Sequence, residues 1–369
     1  MSALRQKIEQ EIQERGPIPF SRYMELCLYD PELGYYSRNA AQFGKAGDFY
    51  TSSDVHAVFG RLLARQFDEM WRVLGAPERI SLEELGPGRG LFAQDVLDWS
   101  EKKFPDFFHA LQYVLNERSP ALKQRIEATL RRHLEAGKAV LSSIDADTPK
   151  IVFGNEFFDA LPVEILSSEG ALRIDARDGR FVERWAHRSP EELEFLDRYA
   201  IHPEHGERVE VPLQSQAYIS KASSLDRGFV IVIDYGYTRE EQLAGRHRGT
   251  LKAIRQHSVS ANPYEAPGEQ DITADVNFTA LAAAAEKQGM QTQKLITQSQ
   301  FLLGIGEANE FADAFEECRL PQERAKVALQ LKHLVTPAGM GESFQVMMAS
   351  KGIEAQKVAG LAGMSFGRR

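Results

Sequence analysis

The chain has 369 residues and a formal net charge of −9 at pH 7, with 43% hydrophobic and 26% charged residues. This length allows a large core in one elaborated domain or two modules, and the composition excludes disorder as the main state. The acidic balance argues against a broad basic surface, so we expect no nucleic-acid partner. The two cysteines, Cys27 and Cys318, lie far apart and support neither a disulfide framework nor a cysteine-rich metal site.

Two features of the sequence bear on location. No run of 18 apolar residues occurs, so we expect no membrane insertion. Residues 1–9 lack the apolar core of a secretion signal, and Glu9, Glu11 and Glu14 disfavour an acid-poor transit peptide. We therefore expect a cytoplasmic protein.

The N-terminal part predicts two helices with an unusual segment between them. Apolar spacing predicts a first helix over residues 3–15 that ends at Gly16. Residues 18–54 have too many turn residues for regular structure and too many aromatic residues for a free linker. We interpret them as an ordered cover whose tyrosines either pack or contact a ligand. A second helix is expected from about Asp54 to Gly75.

Strands and helices alternate through the rest of the chain. Strands are expected at residues 79–84, 111–116, 150–153 and 228–234, and the helix after the second of them opens at Ser119. This alternation indicates a parallel sheet with helices on both faces, an α/β fold.

The pattern changes between residues 161 and 211, where alternating residues on either side of Asp178-Gly179 predict a β-hairpin. We interpret this as an insertion, and segments 293–297 and 344–349 as a final pair of strands. The expected division is an N-terminal cover over 1–75, the first half of the core over 76–165, the insertion over 166–225, and the second half over 226–369 with a substrate-side loop at 238–273.

The most informative segment runs from Glu84 to Leu91 and reads E-L-G-P-G-R-G-L. An acid followed by glycines at alternate positions is typical of the strand-to-helix turn beneath S-adenosylmethionine, because glycine lets a ligand approach the backbone. The dinucleotide fingerprint of a nicotinamide oxidoreductase would need its third glycine at Leu91. Glu84 also suits the ammonium of a methionine moiety. The alternative is a turn whose glycines serve backbone geometry only.

Polar residues follow the carboxyl ends of three later strands, where a doubly wound sheet binds its ligands. Glu117 can hold two ribose hydroxyls through its carboxylate. Asn155, Glu156 and Asp159 would face the reaction cleft, and Asp234 ends the next strand. For each of them, packing, helix capping or simple solvation is the alternative.

A polar, turn-rich loop spans residues 249–275 and contains His257, which could act as a base near neutral pH. An exposed or structural histidine is the alternative. No spacing of His, Cys, Asp or Glu specifies a metal, so none is expected. Carboxylates at the cleft would orient an arginine guanidinium and draw off its charge. With a carboxylate or hydroxyl acceptor, such a cluster would repel the acceptor or would have to rearrange.

With these segments assembled, the chain closely resembles the MidA-like family of S-adenosylmethionine-dependent methyltransferases, over nearly its full length. The resemblance rests on the motifs at residues 16–20, 29–31, 34–36, 47–52, 84–90, 154–162, 234–236 and 249–275. It implies a Rossmann-like fold of seven strands. The donor contacts that it implies are Glu84, Gly86, Gly88, Gly90 and Glu117, to which Asp48 and Asn155 are added.

Mitochondrial members of the MidA-like family are protein arginine methyltransferases that assist assembly of respiratory complex I. The resemblance therefore implies a protein substrate, with a respiratory-complex subunit as one candidate. Ile254 stands where tyrosine is common in the family and could alter the acceptor pocket. We expect a methyltransferase that favours arginine, with Asn155, Glu156, Asp159, Asp234 and His257 as catalytic candidates. The alternative is a non-catalytic assembly factor that retains a donor pocket.

Overall fold

The computed structural model describes residues 2–38, 57–141, 148–255, 258–260 and 262–367. The strands are β1 Ile18–Pro19, β2 Ile80–Leu85, β3 Leu111–Asn116, β4 Ala139–Val140, β5 Lys150–Asn155, β6 Glu164–Ser167, β7 Gly170–Arg177, β8 Arg180–Ala186, β9 Val209–Val211, β10 Gly228–Tyr237, β11 Lys252–Arg255, β12 Ser258–Ser260, β13 Asp271–Thr273, β14 Val276–Asn277, β15 Gln291–Thr292, β16 Ile296–Thr297 and β17 Phe344–Lys351.

The α-helices are α1 Ala3–Arg15, α2 Phe20–Tyr29, α3 Tyr35–Arg38, α4 Ala57–Val73, α5 Leu91–Lys103, α6 Pro105–Ala110, α7 Pro120–Thr129, α8 Arg131–Glu135, α9 Pro190–Tyr199, α10 Leu213–Ala222, α11 Arg239–Leu243, α12 Phe278–Lys287, α13 Gln298–Glu307, α14 Ala312–Phe315, α15 Pro321–Val335 and α16 Ala355–Ala359. Within the described ranges, no helix is both long and apolar enough to cross a membrane.

The central sheet has the strand order β4-β3-β2-β5-β10-β17-β15. The strands from β4 to β10 are parallel, whereas β17 runs antiparallel to β10. Both faces of the central sheet are covered. Ile151 and Phe153 of β5 pack into one hydrophobic cluster, and Val152 between them packs into another. This arrangement confirms the predicted α/β class. From β2 the chain adds β3 and β4 on one side, and it then adds β5 and β10 on the other side. The strand order therefore reverses between β2 and β5, and parallel sheets of this kind bind their ligands at such a reversal.

A second sheet has the order β1-β7-β6-β9, with β8 paired to β7. Asp178 and Gly179 form the turn between β7 and β8 and both have positive φ, 49° and 68°, as a two-residue hairpin turn requires. The predicted hairpin is therefore present. The N-terminal strand β1 completes this sheet, because Ile18 pairs with Ile174.

Residues 20–29 form helix α2, so the expectation that residues 18–54 lack regular structure is wrong for this part. The aromatic and apolar residues recur at helical spacing, and Phe20, Tyr23, Met24 and Cys27 are buried against α1 and the second sheet. Residues 39–54 of the expected cover lie outside the described residues.

The predicted strand at 293–297 is interrupted. Thr292 pairs with Ala349 and Ile296 pairs with Val346, so four steps on one strand oppose three on the other. The extra residue makes a β-bulge. Only residues 296–297 of the predicted segment form a strand, β16, and β15 at Gln291–Thr292 precedes the segment.

We expect helix α2 to contribute to stability through its buried face. Phe20→Ala removes a fully buried ring and should lower the free energy of unfolding by about 3–5 kcal/mol. Leu243→Ala, at a side chain that is 57% exposed, is the control and should change it by less than about 0.5 kcal/mol. Urea unfolding of both variants measures the difference, and equal effects would contradict the packing described.

Candidate active site

A cavity of about 570 Å³ lies at the carboxyl ends of β2, β3 and β5. Its wall combines the glycine turn after β2, the segment after β3, the loop after β5, and helices α2 and α3. The predicted site residues on this wall are Glu84, Gly86, Gly88, Glu117, Asn155, Glu156 and Asp159. Gly90 and Asp234 do not line the cavity, and Asp48 and His257 lie outside the described residues.

The three glycines of the turn all have left-handed backbone, with φ of 64° at Gly86, 55° at Gly88 and 76° at Gly90. A Cβ at Gly86 would lie 2.7 Å from the ring of Phe157, whereas one at Gly88 would meet no atom within 4 Å. Gly90 precedes helix α5 and packs against Ile126. The turn therefore leaves open space at Gly88, where a ligand can approach the backbone.

Glu84 lies at the end of β2, and only 5% of its surface is exposed. The Tyr113 hydroxyl donates a hydrogen bond of 2.8 Å to its Oε2. Burial raises the pKa of Glu84 to about 8, and the nearby Glu117 acts in the same direction. A cation bound at Glu84 would favour the ionised carboxylate.

Glu117 is fixed by the backbone of the segment that follows it. Its Oε1 accepts hydrogen bonds from the N–H groups of Arg118 and Ser119, each at 2.8 Å. Ser119 in turn caps helix α7. The carboxylate is thus held at the cavity wall, and burial raises its pKa.

The loop after β5 brings an amide and a carboxylate together. The Asn155 side-chain N–H donates to Glu156 Oε1 at 3.1 Å, and Glu156 has a positive φ of 48°. Asn155 Oδ1 is buried and accepts no hydrogen bond from any described residue. Such an acceptor favours a ligand with a donor group.

Asp234 faces the backbone of this loop. Its Oδ2 accepts hydrogen bonds from the N–H groups of Phe157, Phe158 and Asp159 at 3.1, 2.9 and 3.3 Å. Its Oδ1 accepts one from the Tyr235 N–H at 2.9 Å. The side chain is fully buried, and burial raises its pKa. The geometry fits a residue that positions the loop from behind.

The cavity also contains aromatic and acidic groups that were not among the predicted site residues. The Tyr29 hydroxyl donates to the Ala160 carbonyl at 2.9 Å, and the Tyr36 hydroxyl donates to Asp271 Oδ1 at 2.8 Å. Tyr218 of α10 also lines the cavity. The tyrosine-rich composition of residues 29–36 was the feature of the sequence that could have identified Tyr29 and Tyr36 as cavity residues. Asp271 could have been found from its place at the end of the polar loop.

Residues 62–296 match the model of a family described as S-adenosyl-L-methionine-dependent methyltransferase. The chain belongs to this family. It is therefore a methyltransferase that uses S-adenosylmethionine, and the resemblance to MidA-like proteins and the predicted donor are confirmed.

Relatives of known name agree with this assignment. The methyltransferase is 30% identical to "Protein arginine methyltransferase NDUFAF7 homolog, mitochondrial" of Drosophila melanogaster, over 95% of this chain and 85% of the relative. It is 29% identical to the human protein arginine methyltransferase NDUFAF7, over 90% and 80% of the two chains.

A solved structure matches the fold over almost its whole length. It is a superfamily member from Burkholderia thailandensis bound to S-adenosyl-homocysteine, with a TM-score of 0.84 and 29% identity. The match covers 98% of this chain and 94% of that one. The predicted Rossmann-like fold is thus confirmed.

One expectation about this methyltransferase is wrong. The sequence indicated a cytoplasmic protein, but the relatives from Drosophila and human are named as mitochondrial. Features of the first residues are weak evidence for location, since they describe only one end of the chain. The same relatives are named as enzymes, which does not favour the non-catalytic alternative.

We expect Gly88→Val to weaken binding of S-adenosylhomocysteine by about tenfold or more, because the side chain would fill the open space beside the backbone. Gly137→Val is the matched control. Gly137 also has positive φ and open space around a Cβ, but it lies outside the cavity wall. Isothermal titration calorimetry of both variants measures the effect. If Gly88→Val and Gly137→Val lose the same affinity, the loss comes from strain of the backbone and not from filling the space at Gly88.

Donor affinity should rise between pH 6 and 7.5. The pKa of Glu84 is about 8 in the free protein, so the carboxyl is mostly protonated in this range and must lose its proton to pair with an ammonium. Binding of S-adenosylhomocysteine should then release a proton, seen as a calorimetric enthalpy that depends on the buffer. Glu84→Gln should remove most of this dependence. The same pH profile in the variant and the wild type would exclude Glu84 as its source.

Proposed function

We propose that this methyltransferase methylates an arginine side chain of a protein substrate. The observation that carries the proposal is the acidic character of the cavity: Glu156 and Asp159 from the loop after β5 and Asp271 from β13 line the same space. The glycine turn forms another part of that wall. A cationic acceptor placed beside the donor would therefore meet carboxylates.

The chemistry of arginine suits such a cavity. The donor, when bound, supplies a methyl group already activated on a sulfonium, so the protein mainly aligns the acceptor and excludes water. A guanidinium keeps its proton at neutral pH and presents five N–H donors in a plane. Carboxylates bind this fork and stabilise its positive charge. The guanidinium nitrogen that gains the methyl group must lose one N–H proton, and a neighbouring carboxylate can accept that proton.

We assign the donor contacts to the residues predicted for them that line the cavity. Glu84 accepts from the ammonium, Glu117 accepts from the ribose hydroxyls, and the backbone at Gly86 and Gly88 lies against the ligand. Asn155 contributes its buried Oδ1, which has no hydrogen bond from a described residue. These carboxylate and amide oxygens can accept hydrogen bonds from the ammonium and hydroxyl groups of S-adenosylmethionine.

Helices α2 and α3 form one side of the cavity. Tyr29 and Tyr36 lie with ring centroids 5.5 Å apart, and each is tied by its hydroxyl to the segments that carry the acidic residues. Burial raises the pKa of both phenols well above the usual value, so they stay neutral donors. In this account they exclude water from the acceptor.

The names of the relatives support arginine as the acceptor, since the Drosophila and human proteins are both named protein arginine methyltransferases. We further propose a respiratory-complex subunit as the substrate. This second step follows from the resemblance to the MidA-like family, whose mitochondrial members assist complex I assembly.

The test incubates the purified protein and methyl-labelled donor with a lysate of cells that lack the gene. We expect one discrete labelled protein, with the label on arginine by mass spectrometry. Glu156→Gln should lower the labelling rate by about 100-fold, a loss typical of removing a group that stabilises transition-state charge. Glu169→Gln is the matched control, because Glu169 is exposed in the turn between β6 and β7, and it should keep the wild-type rate.

Label found only on another residue type would contradict arginine as the acceptor. A labelled arginine in a protein unrelated to respiratory complexes would contradict only the proposal that the substrate is a respiratory-complex subunit. Absence of all labelling, with donor binding intact, would favour the non-catalytic alternative.

A further inference from the structure

The carboxylates near the cavity differ in the hydrogen bonds that their oxygens already make. Asp234 uses both oxygens on backbone N–H groups: those of Phe157, Phe158 and Asp159 on one side and that of Tyr235 on the other. It is also absent from the cavity wall. Asp234 therefore holds the loop and leaves contact with the acceptor to other acids.

Two acids on the wall already accept hydrogen bonds from side chains. Asp271 accepts from the Tyr36 hydroxyl, and Glu156 accepts from the amide of Asn155. Each of these contacts ties the acid to a neighbouring element. A ligand that used the same oxygens would have to share them or displace a partner.

Asp159 differs from these two acids in that its Oδ1 accepts no hydrogen bond from a described side chain. It lies on the cavity wall with 4% of its surface exposed, and its Oδ1 accepts no hydrogen bond from any described residue. A buried acceptor without a partner costs free energy, more so when it carries a charge. A ligand with an N–H donor would remove this cost.

The backbone of Asp159 is held on both sides. Its N–H donates to Asp234 at 3.3 Å, and its carbonyl accepts from the Ala274 N–H at 2.9 Å. The adjacent Ala160 carbonyl accepts from Tyr29. The side chain therefore starts from a fixed point between the tyrosines of α2 and α3 and the central sheet.

We propose that Asp159 Oδ1 accepts a hydrogen bond from the acceptor guanidinium and so selects a cationic side chain over a neutral one of the same shape. This inference rests on the proposed function and names the acid that recognises the acceptor. Burial raises the pKa of Asp159 to about 7 in the free protein, and pairing with a guanidinium lowers it again. The ionised form is then the one that binds.

The test measures binding and needs no turnover. The probes are N-acetyl-arginine methylamide and its citrulline counterpart, which is a neutral isostere, each titrated by NMR into protein saturated with S-adenosylhomocysteine. Wild-type protein should bind the arginine probe at least about tenfold more tightly than the citrulline probe, because citrulline keeps N–H donors but lacks the positive charge that strengthens a hydrogen bond to a carboxylate. Asp159→Asn should reduce this preference to about twofold.

Two controls separate recognition from folding. Glu169→Gln should keep the wild-type preference, and Asp159→Asn should keep its affinity for S-adenosylhomocysteine within about twofold. Asp159→Glu retains the charge and should restore part of the preference. If Asp159→Asn no longer binds S-adenosylhomocysteine, Asp159→Ala replaces it, since alanine removes the whole carboxyl group and leaves no polar group to be buried in its place.

The inference is overturned if wild-type protein binds the two probes equally, or if the preference survives in the Asp159 variants without a carboxylate. After either result, arginine methylation is still supported if the lysate experiment labels arginine. Label on another residue type would instead contradict the proposed function itself, whatever the probes show.

Discussion

The buried carboxylate of Asp234 holds the loop on which the acceptor side of the site depends. A loop that leaves the end of a parallel strand has backbone N–H groups with no ladder partner, and burying them unpaired is costly. Ile233 pairs with Asn155, so Asp234 comes directly beside this loop and supplies the acceptors. Its oxygens take four backbone N–H groups, and Glu156 and Asp159 are thereby placed at the cavity.

This arrangement concentrates acidic groups where water is scarce. Burial raises the pKa values of Glu84, Asp159 and Asp234, which means that the ionised forms are disfavoured in the free protein. The cationic methyl donor would pair with Glu84, and a cationic acceptor would pair with Asp159. Each pairing would again favour the ionised carboxylate. In this account the free energy of binding two cations compensates the cost of keeping acids buried.

The sequence predicted the parts of the site that follow from a local pattern. The alternating glycines marked the turn after β2, and the alternation of strands and helices placed Glu117 and Asn155 at strand ends. The role of Asp234 was not accessible in this way, because a strand-end acid can face either the cavity or the next loop, and the choice depends on the register with β5. Helix α2 was missed because its tyrosines and phenylalanine resemble a loop cover in composition. The bulge between β15 and β16 requires knowledge of the partner strand.

Amide hydrogen exchange of Phe157, Phe158 and Asp159 tests the central role of Asp234 most directly. In wild-type protein these three amides should be protected, because each donates to Asp234 Oδ2. In Asp234→Ala they should exchange much faster, while the amides within β5 and β10 keep their protection. Equal exchange of the three amides in the two proteins would contradict the account, since the loop would then be held by other contacts.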